Sequence, residues 1–367
     1  MSYDNILLLK GDEIVELFQK REQEILQTVK LTYQIHARGD SCLPHSSFLR
    51  FPNNQKDRII ALPAYLGGEL NTAGIKWIAS FPDNLSVGME RASAILILNS
   101  TQTGQPKAIM ESSVISAKRT AASAALAAHH LRGEQSLATV GIIGCGLINF
   151  ETVRFLLATR PEIETLFIYD LSLVRAEQFK LKCQQISKQI KITIVEEPKK
   201  VFQNASTICL ATTATKPHIF DISNCQSDKI ILHTSLRDLS PEIILSANNI
   251  VDDIDHVCRA QTSIHLAEEQ TGNRNFINCT IGDLLNGTAS AQTNQNKITI
   301  FSPFGLGVLD LALGNLAYNL AMEQNQGTVI DSFLPVPWLQ REEYLTKRKL
   351  ESDKRDAALR GDLARNA

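Results

Sequence analysis

The sequence predicts an α/β protein in which a Rossmann-type, doubly wound parallel sheet is joined to an α+β part. Apolar strand and helix patterns alternate from residue 137 onwards, as is typical of a parallel sheet. A glycine-rich turn, Gly144-Cys145-Gly146, joins the first of these strands to its helix. The earlier residues instead place several strands between two helices, which indicates the separate α+β part.

The composition of the 367-residue chain is that of a globular protein, with 44% hydrophobic and 21% charged residues. This length favours two domains over one. The net charge of -2 offers no basic surplus, so we expect no nucleic-acid partner. The longest apolar run, residues 137–148, is too short for a membrane span, and the N-terminus lacks the features of a secretory signal. We therefore expect a cytoplasmic protein without a membrane partner.

The seven cysteines and eight histidines lack metal-ligand spacing, so we expect no metal site. No two cysteines form a C-x-x-C pair, and most lie in apolar segments. This pattern predicts reduced, buried thiols.

The predicted elements of the first 131 residues begin with a strand at 6–9 and a long amphipathic helix over 13–37. An alanine-rich helix capped by Ser112 and Ser113 ends this part near Leu131. Between the two helices, alternating apolar residues predict strands at 48–51, 58–62, 74–79, 94–98 and 107–110.

The second part predicts helices at 147–159 and 172–189, and an amphipathic helix after Pro303 that is expected to pack back onto the N-terminal part. Its predicted strands are 137–143, 165–169, 191–195, 206–211, 229–233, 249–252 and 297–301. We expect a solvated or partly disordered charged tail, with an oligomer contact as the alternative. The predicted domain ranges are 1–131, 132–304 for the Rossmann domain, 305–338 for the return to the first domain, and 339–367 for the tail.

The glycine-rich turn has the context of a dinucleotide site, because it follows an apolar strand and opens a helix. Gly144 permits the sharp bend and Gly146 lets the backbone approach a pyrophosphate. The helix N-terminus, with Leu147 and Ile148, favours the anion. The third glycine of the pattern is replaced by Asn149, so a purely structural turn is the alternative.

An acidic residue at the end of the next strand indicates which dinucleotide binds. Asp170 ends the strand LFIYD, where a carboxylate binds both ribose hydroxyls of NAD and repels the 2′-phosphate of NADP. Arg175 leaves NADP as the alternative. Three hydroxyl groups are further candidate cofactor contacts, two of them at strand ends: Thr120, Thr212 and Ser235.

Five cations lie in apolar or strand-like stretches of the first part: Arg50, Arg58, Lys76, Arg91 and Arg119. A solvated or salt-bridged side chain is the alternative for each. Cations in a concave site bind carboxylates, so this number suggests a small substrate with more than one carboxylate.

Four segments together resemble the ornithine cyclodeaminase/mu-crystallin family: GIKWIAS, SAKRTAASAALAAHHL, VGIIGCGLIN and PFGLGVLDLALG. Three further stretches are most similar to the bacterial members that make 2,3-diaminopropionate for siderophores or antibiotics: DRIIALPAYLGG, GIKWIASFPDN and MERASAILILN. The resemblance covers residues 1 to about 335. It implies a homodimer, an NAD-binding Rossmann domain, and a substrate-binding and dimerisation domain built from both chain ends.

The resemblance also implies site residues. The substrate-carboxylate cations of the family fall on Arg50, Lys76 and Arg119, and the cation pattern adds Arg91. Lys76 is also a catalytic candidate.

The catalytic aspartate of the family falls on Asp238 in ILHTSLRDLSPE, where Leu236-Arg237 replace the glycine pair of the cyclodeaminases. A helix cap is the alternative role of Asp238.

The implied reaction is NAD-dependent oxidative hydrolysis of N-(2-amino-2-carboxyethyl)-L-glutamate to L-2,3-diaminopropionate and 2-oxoglutarate. Hydride transfer to NAD would give an imine, to which water adds, with Asp238 as general base. The segment RIIALP lacks the acid of the cyclodeaminases, which argues against simple ornithine cyclisation. The alternatives are a cyclodeaminase, an imine reductase or amino-acid dehydrogenase of the family, or a mu-crystallin-like dinucleotide-dependent binding protein.

Overall fold

The computed structural model describes residues 5–342 except 224, 226–227 and 291–296. The chain divides into two compact units. One contains described residues 5–8 and 328–342, and the other spans Leu9–Gly327. Most of the charged tail expected at 339–367 lies outside the described residues. The predicted domain ranges remain a proposal.

The elements of the first 132 residues are strands β1 to β7 and helices α1 to α3. In chain order they are β1 (Ile6–Leu9), α1 (Gly11–Leu17), α2 (Glu22–Ala37), β2 (Ser41–Cys42), β3 (Ser47–Phe51), β4 (Asn54–Leu66), β5 (Thr72–Ser80), β6 (Ala92–Asn99), β7 (Pro106–Glu111) and α3 (Ser113–Arg132). A 3-10 helix, Pro82–Val87, precedes β6. The long helix expected at 13–37 is therefore two helices. Lys20 adopts a left-handed φ of 58°, which ends the helical path between them.

The first sheet of the larger unit has the order β7-β6-β5-β4-β2, and β3 also pairs with β4. All these pairs are antiparallel. Strand β4 is longer than the sequence predicts and passes through Pro63. On one edge, β4 pairs with β3 up to Ala61 and with β2 from Tyr65 onwards. Pro63 lies in the gap between these two pairings, so the proline, which has no N–H, removes no hydrogen bond on that edge.

The remaining elements are strands β8 to β16, helices α4 to α11 and a 3-10 helix at Trp338–Gln340. The larger unit holds β8 (Thr139–Ile143), α4 (Leu147–Thr159), β9 (Thr165–Tyr169), α5 (Leu173–Ile186), β10 (Lys191–Ile194), α6 (Pro198–Asn204), β11 (Thr207–Leu210), β12 (Ile230–His233), α7 (Pro241–Ser246), β13 (Asn248–Val251), α8 (Ile254–Val257), α9 (Ser263–Thr271), β14 (Ile277–Thr280), α10 (Ile281–Asn286), β15 (Thr299–Ser302) and α11 (Gly307–Gln324). The smaller unit holds β16 (Thr328–Ile330), which pairs antiparallel with β1.

The second sheet has the order β10-β9-β8-β11-β12-β15-β13-β14, and its pairs are parallel. The strand order reverses between β8 and β11: the strands that follow β8 in the chain are added on one side of it, and those from β11 onwards on the other side. In a doubly wound sheet this switch point opens the ligand crevice at the carboxyl ends of the strands. The expected α/β fold with a Rossmann-type sheet is confirmed. Strand β14 was not predicted, because INCT lacks a long apolar run.

Helix α11 lies against β4, β5 and β6, as expected for the return of the chain. Two of its glycines permit this approach, because a Cβ on Gly307 would stand 3.1 Å from the Leu62 carbonyl and one on Gly314 would stand 2.1 Å from Leu96. Among the described residues, no helix has the length and apolar character needed to cross a membrane.

Candidate functional site

A fully buried carboxylate joins two of the predicted cations. Asp310 on α11 accepts a hydrogen bond from Lys76 Nζ on β5 at 2.6 Å and one from Arg119 Nε on α3 at 3.2 Å. Ser116, one turn before Arg119 on α3, lies 3.3 Å from Lys76 Nζ. Asp310 is 0% exposed and Lys76 is 1% exposed, so the charges are balanced almost without water. The three side chains leave one net positive charge for an anion.

Burial lowers the pKa of Lys76 to about 8, and Asp310 opposes this shift by attracting the ammonium charge. The nearby Arg119 charge lowers the pKa further. Lys76 therefore titrates closer to neutral pH than an ordinary lysine does.

A row of arginines crosses the same face of the first sheet. Arg50 on β3 stands directly opposite Arg58 on β4, and Arg58 stands opposite Ser80 on β5. Arg91 completes the row, because its Nη1 donates to Ser80 Oγ at 2.9 Å. Alternate residues of a strand share a face, so Ser80 and Lys76 point to the same side of β5. Like charges directly opposite each other destabilise a sheet unless an anion lies between them.

Arg237 belongs to the same group, although it follows β12 of the second sheet. Burial lowers the pKa of Arg58 to about 10, with further lowering by the charges of Arg237, Arg91 and Arg50. Among the described residues, the Arg237 guanidinium donates to the carbonyl of Ala260, at 2.7 Å. Among the described residues, none of the four guanidinium groups forms an ion pair with a carboxylate. We call Arg50, Arg58, Arg91 and Arg237 the arginine cluster.

Asp238 is the centre of a second hydrogen-bonded group, at the ends of β11 and β12. Its side chain is 0% exposed, and its oxygens contact four side chains: Thr212, His218, His233 and Ser235. His218 Nε2 lies 3.0 Å from Oδ1 and His233 Nε2 lies 3.2 Å from Oδ2. The helix-cap alternative for Asp238 is wrong, because Ser240 caps α7.

Burial raises the pKa of the Asp238 carboxyl, but the hydrogen bonds from His218 and His233 outweigh this effect. The result is a pKa well below the usual range of an aspartate. Asp238 is therefore ionised and is a weak proton acceptor.

The loop that carries Asp238 is strained where the sequence departs from the family. Leu236 adopts a left-handed φ of 68°, a conformation that favours glycine. The glycine pair that the resemblance implies at this position would adopt this conformation without strain. The Leu236 carbonyl accepts a hydrogen bond from Ser263 N at 2.7 Å, which holds the residue in place. Strain of this kind is found at functional sites, where the surrounding structure stabilises it.

The glycine-rich turn lies on one side of the switch point and Thr212 lies on the other. Gly144 has a φ of 92°, and a Cβ there would stand 2.4 Å from the Ala211 carbonyl, so only glycine fits. A Cβ on Gly146 would meet nothing within 4 Å. The turn therefore leaves open space before α4, whose N-terminus carries no side-chain cap. Leu147 is exposed and Ile148 is half-buried beside that space.

Asn149 holds the turn in place of the missing third glycine. It is 0% exposed, and its Nδ2 donates to the carbonyls of Gly144 at 2.7 Å and Ile143 at 3.1 Å. Asp170 fixes the turn from the other side, because its Oδ2 accepts the Cys145 N–H at 2.8 Å. The structure thus brings together the glycine-rich turn and Asp170, as the sequence predicts.

The remaining predicted contacts lie close to these groups. Thr120 follows Arg119 on α3, and its hydroxyl donates to the Ser116 carbonyl at 2.7 Å. The hydroxyls of Thr212 and Ser235 both donate to Asp238, so their contact with a cofactor remains a prediction. No metal-binding group of three or more histidines, cysteines or acids is present among the described residues.

Sequence reasoning did not identify Asp310, Arg237 or His218 as functional residues. Asp310 is the single acid in the apolar stretch GVLDLALG, and this is the feature of the sequence that could have identified it. His218 follows a strand end, as Thr212 does, and that position is the signal that would have found it.

The family model for the ornithine cyclodeaminase/mu-crystallin family matches residues 15–325. The chain belongs to this family. It is 31% identical over 334 residues to the N-((2S)-2-amino-2-carboxyethyl)-L-glutamate dehydrogenase of Staphylococcus aureus, covering 89% of this chain and 99% of that relative. It is 26% identical to an alanine dehydrogenase of Archaeoglobus fulgidus, covering 89% and 98% of the two chains.

Solved structures share the fold over nearly the whole chain. The Thermococcus litoralis Delta(1)-pyrroline-2-carboxylate reductase in complex with NADH and L-proline has a TM-score of 0.81 at 23% identity, covering 88% of this chain and 99% of that one. An archaeal alanine dehydrogenase dimer with bound NAD has a TM-score of 0.79 at 26% identity, covering 89% and 99%. The predicted family, the class of NAD-dependent oxidoreductase and the cofactor NAD are confirmed.

Replacing Asp310 by asparagine is expected to destabilise the protein by about 3–5 kcal/mol, because two buried cations lose their carboxylate. The variant also lowers the pKa of Lys76 below about 8. Deprotonation of Lys76 then relieves the unpaired charge in the variant, so its loss of stability relative to the wild type shrinks as the pH rises to about 8. Above this pH Lys76 is also deprotonated in the wild type, and the remaining difference is constant.

Urea unfolding at several pH values measures this effect. Asp83→Asn is the matched control, because that side chain is 71% exposed and its loss should change stability by at most about 0.5 kcal/mol. A loss of stability in Asp310→Asn that is small, or that does not change with pH, would contradict the buried ion triad.

Proposed function

We propose that the chain catalyses the NAD-dependent oxidative hydrolysis of N-(2-amino-2-carboxyethyl)-L-glutamate to L-2,3-diaminopropionate and 2-oxoglutarate. One observation carries the choice of substrate: the arginine cluster lies on the sheet face of Lys76 and contains no ion pair among the described residues. An amino acid with one carboxylate needs only the charge left by Lys76, Arg119 and Asp310. The cluster supplies binding groups for further carboxylates.

The spacing of the two cationic groups supports an extended substrate. Lys76 and the row through Ser80 are four residues apart on β5, which corresponds to roughly 13 Å along the strand. Arginine side chains reach several ångströms into that gap. The conjugate carries three carboxylates along one chain, so its two ends can be held by the two groups at once. The similarity to the Staphylococcus aureus dehydrogenase supports the same substrate.

The NAD site is assigned to the switch point of the second sheet. Gly144 and Gly146 shape a turn with open space before α4, and the free N–H groups of that helix favour a pyrophosphate. Asp170, held at the turn, would bind the ribose hydroxyls. Bound NAD supplies the hydride acceptor for the reaction.

The residues of the chain provide orientation and proton transfer. Lys76, Arg119 and the arginine cluster fix the conjugate so that the glutamate Cα–H points to the switch point. The secondary amine must first lose a proton, because a protonated nitrogen has no lone pair to support hydride loss. Removal of hydride from Cα then leaves an iminium ion. The Asp238 group serves this proton transfer.

Water completes the reaction. It adds to the iminium carbon with loss of one proton and forms a carbinolamine. Transfer of the hydroxyl proton to nitrogen breaks the C–N bond and gives 2-oxoglutarate and 2,3-diaminopropionate. The balance is one conjugate, one NAD⁺ and one water converted to two products, NADH and one proton. Lys76, with its pKa near 8, is the catalytic candidate for this proton transfer at the carbinolamine.

A homodimer is proposed through the outer face of the first sheet. Exposed apolar side chains of four strands share that face, opposite Lys76: Leu49, Tyr65, Trp77 and Ile95. Such a patch marks an interaction surface. The similar archaeal alanine dehydrogenase is a dimer. We also propose a cytoplasmic location, because all seven cysteines are unpaired thiols.

Incubation of the purified protein with NAD and the conjugate is expected to yield NADH and 2-oxoglutarate in equal amounts. NADH absorbance and chromatography of the products measure this. Formation of proline and ammonia from ornithine without net NADH would instead establish a cyclodeaminase. Binding of NAD without turnover of the conjugate, ornithine or alanine would establish a binding protein.

Replacement of Arg58 or Arg237 by glutamine is expected to lower kcat/KM for the conjugate about 10- to 100-fold, because each loses charge-assisted hydrogen bonds to a carboxylate. The loss should fall on KM rather than on kcat. Arg21→Gln is the matched control, since Arg21 pairs with Glu24 at the start of α2. Equal kinetics of Arg58→Gln, Arg237→Gln and the control would rule out the second carboxylate site.

Light scattering is expected to give twice the 40.6 kDa mass of the chain for the wild type and a monomer for Trp77→Asp. An aspartate at the centre of the apolar face would leave a buried unpaired charge in the interface. Leu181→Asp, on the exposed side of α5, is the control and should remain dimeric. A dimer that survives Trp77→Asp would assign the interface to another surface.

A further inference from the structure

We infer that His218 accepts the proton of the substrate amine and that Asp238 orients His218 for this step. The inference rests on the proposed function, because it assigns the base of that reaction. It changes the role expected for Asp238 from direct base to positioning residue.

Exposure separates the two residues. The Asp238 side chain is 0% exposed, whereas the side chain of His218 is 44% exposed. His218 is therefore open to a substrate, whereas the oxygens of Asp238 lie behind the side chains that contact them. His218 is the solvent-facing member of the group around Asp238.

Hydrogen bonding makes Asp238 unsuitable as the base. Both of its oxygens are occupied: Thr212 donates to Oδ1 and Ser235 donates to Oδ2. The ring nitrogens of His218 and His233 lie against Oδ1 and Oδ2, at 3.0 and 3.2 Å. A carboxylate stabilised in this way loses that stabilisation when it is protonated. The arrangement keeps Asp238 ionised, and an ionised carboxylate can accept the hydrogen bond that orients His218.

The tautomer of neutral His218 follows from its partner. An ionised carboxylate is only an acceptor, so His218 Nε2 must carry the hydrogen that bridges to Asp238 Oδ1. The lone pair then lies on Nδ1. Among the described residues, Nδ1 makes no hydrogen bond to the protein. The free basic nitrogen is thus on the ring edge that faces away from Asp238.

The backbone fixes this geometry from both sides. The N–H groups of His218 and Ile219 donate to the carbonyl of Asp238 at 3.0 and 2.9 Å. The loop after β11 is thereby tied to the loop after β12 at the carboxyl ends of adjacent strands. Those ends border the switch point, where the substrate must approach the turn at Gly144.

The proton moves from the substrate nitrogen to His218. Nδ1 of His218 takes one proton from the protonated secondary amine, which leaves a neutral amine and an imidazolium. Asp238 stabilises that imidazolium through the bond to Nε2, as the aspartate does in a Ser-His-Asp triad. The proton leaves to water after hydride transfer, so the histidine is neutral for the next turnover. Among the described residues, His233 and Arg237 are the other charged or titratable groups that act on Asp238.

Kinetics of His218→Gln test the assignment. We expect kcat for the conjugate to fall about 100- to 10,000-fold, the contribution of a general base. The decline of the wild-type kcat/KM at acidic pH should also disappear. His218→Ala should regain activity with added imidazole. The control is His265→Gln, because His265 pairs with Glu269 on α9 at 3.5 Å and should remain fully active.

A measurement without substrate separates this inference from the proposed function. Nitrogen NMR of labelled histidine should show neutral His218 protonated at Nε2, and Asp238→Ala should shift part of the neutral ring to the Nδ1–H tautomer. If the wild type does not oxidise the conjugate, the proposed function fails, and the His218 variants are then compared with ornithine and alanine as substrates. Wild-type kinetics of His218→Gln, or a His218 tautomer unaffected by Asp238→Ala, would overturn the inference.

Discussion

The carboxylate of Asp310 is the constraint on which the site depends. Lys76 lies on a strand, Arg119 on the alanine-rich helix and Asp310 on the last long helix, and none of the three elements adjoins another in sequence. Unpaired buried charges cost several kcal/mol, so this fold requires the three to meet. Their meeting fixes α11 on the sheet face that also carries Arg58. The buried ion triad therefore sets where the substrate can be held.

The dinucleotide site could be predicted well because its signals are local. Gly144 must adopt a positive φ next to a neighbouring strand, and no other residue type permits this without strain. Asp170 ends the next strand, where topology alone brings it to the turn. The departure at Asn149 could not be interpreted from sequence, because its amide bonds to carbonyls of β8 and β11, which only the folded sheet brings together. Asn149, which weakens the match to the glycine pattern, stabilises the turn through these hydrogen bonds.

The substrate site was predicted in part because its contacts are long-range. The sequence identified Lys76 and Arg119 as unusual cations but not the acid between them, which stands about 190 residues later in an apolar helix. The sequence marked Arg237 only as part of a departure from a glycine pair. The positive φ of Leu236 shows that this departure strains the backbone. His218 carried one weak signal in the sequence, its position after a strand end. Its role depends on a hydrogen bond between two strand-end loops, which no spacing in the sequence records.

The central claim is that the chain oxidises the glutamate α-carbon of a conjugate held at both ends by separate cationic groups. The most direct test uses the conjugate with deuterium at that carbon and mass spectrometry of the reduced cofactor. Transfer of one deuterium to each NADH, with a slower rate than for the unlabelled conjugate, is the result we expect. Unlabelled NADH, with the deuterium retained in a product, would contradict the account because oxidation would then occur at another carbon.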